Sequence, residues 1–170
     1  MLNHVSEPFV YEVSDESGPD LIHQQVHSRY LTGVLLDVAL APIIDYLAVS
    51  GVSTLFSCQG DGGQERSGYI MFPTVQDLLL ATKLLADVAI SSEDLALAAR
   101  CLGRDVIESS ATPNLRNRVE LTNLVAWRFS VSRDPIGWSQ ETDHFRAYAA
   151  INHEDILSLR SILGYQQLSH

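Results

Sequence analysis

The sequence is poor in basic charge, in cysteine and in long apolar runs. Lys and Arg total 11 against 21 Asp and Glu, a formal charge of −10, and Lys83 is the single lysine. With a pI near 4.8, the chain lacks the basic surface that electrostatic capture of nucleic acid or anionic lipid requires, which argues against both as partners. Two cysteines, Cys58 and Cys101, cannot build a disulfide framework, so an intracellular, cytoplasmic protein with reduced thiols is expected. The longest apolar stretch, Val34 to Leu47, is interrupted by Asp37, Pro42 and Asp45 and is too short to span a bilayer. The N-terminal residues Met1 to Pro8 lack the basic start and apolar core of a secretion signal. No membrane association follows from any of this.

What remains is an ordinary globular composition: 170 residues, 46% hydrophobic and 19% charged, enough to bury one core. Residues 1–20 read as an N-terminal arm, with Pro8 and the run from Ser14 to Pro19 isolating the strand-like Phe9 to Val13. Residues 21–170 read as a single α+β domain. Asp20 is placed to cap a helix from Leu21. Leu21, Ile22, Val26, Tyr30 and Leu31 keep helical spacing, as do Val34, Leu35, Val38, Ala41, Ile44 and Leu47 up to Gly51. Gly33 weakens this pattern, and at Pro42 the helix either kinks or starts anew. Val52 to Ser57 and Gly68 to Phe72 read as a strand pair. A helix follows from Thr74 to about Ala89, then one capped by Ser91 or Ser92 and ending at Gly103.

From Val119 the period changes to two. Trp127, Phe129 and Val131 share one face of a strand, and Arg128, Ser130 and Ser132 the other. Phe145, Ala147, Ala149 and Ile151 alternate with Arg146, Tyr148 and Ala150 in a partner strand. Asn152, with Asp155 three residues on, caps a last helix that Gly164 ends. Strands come in adjacent pairs between helices. The expected fold is a two-layer α+β domain, with a mainly antiparallel sheet of two hairpins and helices on one face.

Three groups of residues invite chemistry. The first is Ser57, Cys58, Gln59, Gly60, Asp61, Gly62 and Gly63. Its glycines let the backbone adopt positive φ or approach a ligand, and successive amides can cradle an anion. Cys58, where a strand opens into the loop, is the candidate nucleophile. The stretch is neither a Walker loop nor a dinucleotide fingerprint, and it reads equally as a long hairpin turn with a half-buried cysteine. The second group is His23 and His27, at helical i and i+4 spacing. Two histidines without a third ligand fit a solvated helix face better, so no metal is assigned. The third is Arg128, Arg146 and Tyr148, which share a sheet face if their strands pair and could bind a carboxylate or phosphate. The same residues also fit an exposed face with ordinary salt bridges. A Cys-His dyad would need His144 or His153 beside Cys58, and spacing gives it no support.

The run Gly51-Val52-Ser53-Thr54-Leu55-Phe56-Ser57-Cys58-Gln59-Gly60, followed by Tyr69-Ile70-Met71-Phe72, resembles a pattern in small bacterial and phage proteins. There a helix leads into Gly-Ile-x-Thr-x-x-Ser-Cys-x-Gly and a Tyr-Ile-x-Phe strand follows. The likeness covers roughly residues 37–80 and implies a shared structural unit without a chemistry. Ser57, Cys58 and Gly60 also resemble the Ser-Ser-Cys-Ser-Gly-Arg motif of the wybutosine-synthesis tRNA methyltransferases, with Asp61 where that motif has Arg.

The expectation is therefore a small domain that binds, or modifies, a small anionic or nucleotide-like ligand at the Cys58–Gly63 loop, with no particular cofactor implied. Its competitor is a non-enzymatic acidic interaction or inhibitor protein, of phage or mobile-element kind, that occupies a basic protein surface. A homodimer is also expected, closing the apolar, unfilled face of the first hairpin.

Overall fold

The computed structural model describes residues 10–12, 25–60, 67–103, 127–133, 145–164 and 166–168. These form β1 (Val10–Glu12), β2 (Gln25–His27), β3 (Leu35–Asp37), α1 (Ala41–Val49), β4 (Phe56–Cys58), β5 (Gly68–Phe72), α2 (Val75–Ser91), α3 (Leu95–Leu102), β6 (Arg128–Arg133), β7 (Phe145–Ile151), α4 (His153–Ile162) and β8 (Gln166–Leu168). The principal sheet has the order β4-β5-β7-β6, antiparallel throughout. The chain has an α+β fold with helices packed against this sheet. β1 pairs in parallel with β8.

Alternation builds the sheet. Ala147, Ala149 and Ile151 of β7 point into the core with Ile70 and Phe72 of β5, and α2 lies against both strands. Small alanines on the central strand let a helix come close. α2 starts where Thr74 Oγ1 accepts the Asp77 amide at 3.0 Å, and α4 where Asn152 Oδ1 accepts the Asp155 amide at 2.9 Å. Gly103 ends α3 with φ +74, and a Cβ there would lie 2.4 Å from the Phe129 ring. Both conformation and space require glycine.

Three expectations fail. Residues 25–27 and 35–37 are not helical but form the antiparallel β2–β3 pair. Buried Asp45 of α1 is the reason: its carboxylate accepts the Ser28 hydroxyl and, at 2.9 Å, the Arg29 amide. Ser28 Oγ in turn accepts the Leu31 amide at 2.8 Å, and Gly33 turns at φ +75. Of the two alternatives at Pro42, the new start is the one seen: the helix begins at Ala41, with Pro42 in its first turn. The strand placed at Val52 starts at Phe56. Neither Ser91 nor Ser92 caps α3: Ser91 closes α2, and Asp94 Oδ1 accepts the Leu97 amide at 3.0 Å. The strand expected from Val119 is seen from Arg128 on; its earlier part, and the loop with Trp138, lie outside the described residues.

Asp155 joins α3, the start of β6 and α4. It is 2% exposed. Its oxygens accept Arg100 Nε at 3.0 and 3.1 Å, Trp127 Nε1 at 3.0 Å and Asn152 Nδ2 at 2.9 Å, and Arg100 Nη2 lies 3.0 Å away. A buried carboxylate persists because its lone pairs are all occupied.

Candidate functional site on the sheet

Cys58 ends β4 and pairs with Tyr69. Pairing continues from Tyr69 to Ala150 and from Ala150 to Arg128. The next row is Phe56, Met71, Tyr148 and Ser130. Paired residues point the same way, and the alternate residues Ile70, Phe72, Ala147 and Ala149 face the core. Cys58, Phe56, Tyr69, Tyr148, Ser130 and Arg128 therefore share the face opposite the helices. Neighbouring strands are about 4.8 Å apart, so Cys58 and Arg128 lie about 14 Å from one another.

The Cys58 end is fixed by a clasp. The Gln59 amide donates to Asp37 Oδ2 at 2.9 Å, and Gln59 Oε1 accepts the Ala39 amide at 3.0 Å. This ties the mouth of the loop to the turn between β3 and α1. Gly60 has φ +76, and its amide donates to Cys58 Sγ at 3.4 Å. Gly68, opposite, has no room for a Cβ: Ile156 Cδ1 would be 2.5 Å away and the Cys58 carbonyl 3.1 Å.

Tyr69 is 39% exposed. Partial burial raises its phenol pKa above the ordinary 10.0, and the negative charges available to Cys58, Tyr148 and Asp37 raise it further. These four groups thus share one neighbourhood. The Tyr148 hydroxyl is shielded from solvent and has no hydrogen-bond partner, a condition shared among described residues by His153 Nδ1.

Of the residues singled out from sequence, Cys58, Tyr148 and Arg128 come onto one face, and Arg146 joins them at its far end, beside Ser132. The two guanidinium-bearing residues are four positions apart along the sheet, about 13 Å, with Tyr148 between them. Ser57 pairs with Ile70 and points to the other face. Gln59 serves the clasp. Asp61, Gly62 and Gly63 lie outside the described residues. Tyr69 and Phe56 were missed; only the strand register reveals them. His27 stands on β2 rather than on a helix, so the i, i+4 geometry does not exist; His23 and His144 lie outside the described residues. Among the described residues no three metal-ligating side chains cluster. His153 begins α4, and its Nδ1 has no hydrogen-bond partner, so that nitrogen is not bonded to Cys58. No described helix is long and apolar enough to cross a membrane.

Comparison with known proteins adds no relative: no family model, no curated protein and no solved structure matches the chain.

Proposed function

We propose that the protein binds a small anionic, nucleotide-like ligand across the open face of its four-stranded sheet. The observation that carries this reading is the Tyr148 hydroxyl, shielded and without a partner in the middle of that face. Leaving such a group unpaired costs about 1–3 kcal/mol, and native proteins keep few of them. A ligand oxygen at this point satisfies it. Tyr69 and Phe56, both partly exposed, offer aromatic surface to a planar group. Arg128 and Arg146 offer guanidinium donors to an anion on either side of Tyr148. A reach of about 14 Å suits a ligand with a planar end and an anionic end better than a single small ion. Cys58, at the loop mouth, is the group that would act if binding is followed by modification.

A thermal-shift panel of nucleoside mono- and diphosphates, dinucleotides and S-adenosylmethionine tests the reading. At a hundredfold excess over Kd a genuine ligand stabilises the fold by about 2.7 kcal/mol. The response should disappear in Tyr148→Phe and Arg128→Ser while the variants stay folded. A flat panel, with capture instead of a basic protein whose affinity falls steeply with salt, would transfer the function to the acidic interaction reading.

A further inference from the structure

The outer face of α2 carries more exposed apolar side chain than a solvated helix needs. Leu79, Leu80 and Ile90 are 47%, 43% and 43% exposed. The inner face is complete without them: Leu78, Ala81, Leu85, Ala86, Val88 and Ala89 are buried. On the outer face, Gln76, Leu80, Lys83, Asp87 and Ile90 follow one another at spacings of four and three. That is the 3.5-residue repeat by which one helix docks along another.

We propose that this seam docks against the same seam of a second copy of the chain, antiparallel, about a twofold axis midway between Lys83 and Asp87. The order of chemistry along the helix selects both occupant and direction. Leu80, Lys83, Asp87 and Ile90 read apolar, positive, negative, apolar. Read backwards, the order is the same with the charges exchanged. An antiparallel copy sets Leu80 against Ile90 and Lys83 against Asp87, twice over by symmetry. A parallel copy would set lysine against lysine and aspartate against aspartate. The chain as a whole carries −10, yet Lys83 and Asp87 balance along the seam, so two acidic molecules meet here with little repulsion. This surface is distinct from the sheet face on which the sequence suggested a twofold partner, and it leaves that face open.

The helix is about 25 Å long. A single helix pair of this length falls short of the roughly 800 Å² per partner of a stable complex, so the dimer is weak and depends on concentration. Sedimentation velocity over a wide concentration range should show the mass climbing from 18.8 kDa toward twice that value. Lys83→Asp and Asp87→Lys each oppose like charges and should shift the midpoint to at least tenfold higher concentration. The double variant K83D/D87K restores both pairs and should recover association. Leu80→Arg, at an exposed position, should abolish association without touching the charges. A constant 18.8 kDa species would overturn the proposal, as would a dimer indifferent to the single reversals or not rescued by the double one.

Discussion

On the helix-covered face of the sheet, Ile70, Phe72, Ala147, Ala149 and Ile151 are at most 1% exposed, whereas on the other face of the same strands Met71 is buried at 5% but Phe56 and Tyr69 stand at 38% and 39%. Two polar groups show the difference. Asp155, among the helices, receives Arg100, Trp127 and Asn152, while the Tyr148 hydroxyl on the open face receives nothing. The cysteines follow suit: Cys101 is buried at 0%, and Cys58 is half-buried at a strand end beside a glycine amide. Among the helices Asp155 has its lone pairs filled, while His153 Nδ1 at the start of α4 is shielded without a partner. The other sheet face keeps Phe56 and Tyr69 partly exposed around a hydroxyl that is shielded and unmet.

The sharpest way to probe this contrast is thiol chemistry, with the largest effect. A maleimide should label Cys58 in the native protein. Cys101 should react only when the region opens, slower by about three orders of magnitude or more in a domain of ordinary stability. Mass spectrometry of peptides after timed labelling reads both rates, and equal rates would erase the distinction.

Next in size is Asp155→Ala, which leaves Arg100 and the buried Trp127 indole without their acceptor. Removing one partner of a buried pair costs about 3–5 kcal/mol, visible as a lower denaturant midpoint. A loss under 1 kcal/mol would mean that water reaches the cluster.

The third effect is alkaline. Burial, reinforced by the Asp155 charge, holds the Cys101 thiol well above its ordinary 9.0. The unfolded chain releases this proton near pH 9 and the folded chain keeps it. The stability is therefore fully present below pH 9 and is lost as pH rises beyond it, by up to about 1.4 kcal/mol per pH unit for one proton. Cys101→Ala should flatten that slope; an unchanged slope would assign it to other groups, Tyr46 and Tyr69 among them, whose pKa values are also raised.

The parts of the fold written in local signals were legible. The alternation of Phe145 to Ile151 and the Asn152–Asp155 spacing specify β7 and the start of α4 from neighbouring residues alone. Residues 25–37 were not, because Leu31, Val34 and Leu35 fit a helix as well as a hairpin. What decides between them is Asp45 accepting from Ser28 and Arg29, a bond from distant chain that no local window contains. The same holds for the site. Cys58 at a strand mouth and the Arg128–Tyr148 face could each be read, but their union depends on β5 pairing with β7, and Tyr69 acquires meaning only from that register.

Binding of a small anion-bearing ligand on the sheet face of Tyr69 and Tyr148 is read residue by residue by amide chemical-shift mapping. Adenosine monophosphate, with a planar end and an anionic end, serves as the probe for the ¹⁵N-labelled full chain. Saturable shifts are expected at Phe56, Cys58, Gly60, Tyr69, Tyr148, Ala150 and Arg128, absent along α2, and abolished by Tyr148→Phe combined with Arg128→Ser. Shifts confined to the helical side, or none that saturate, would contradict it.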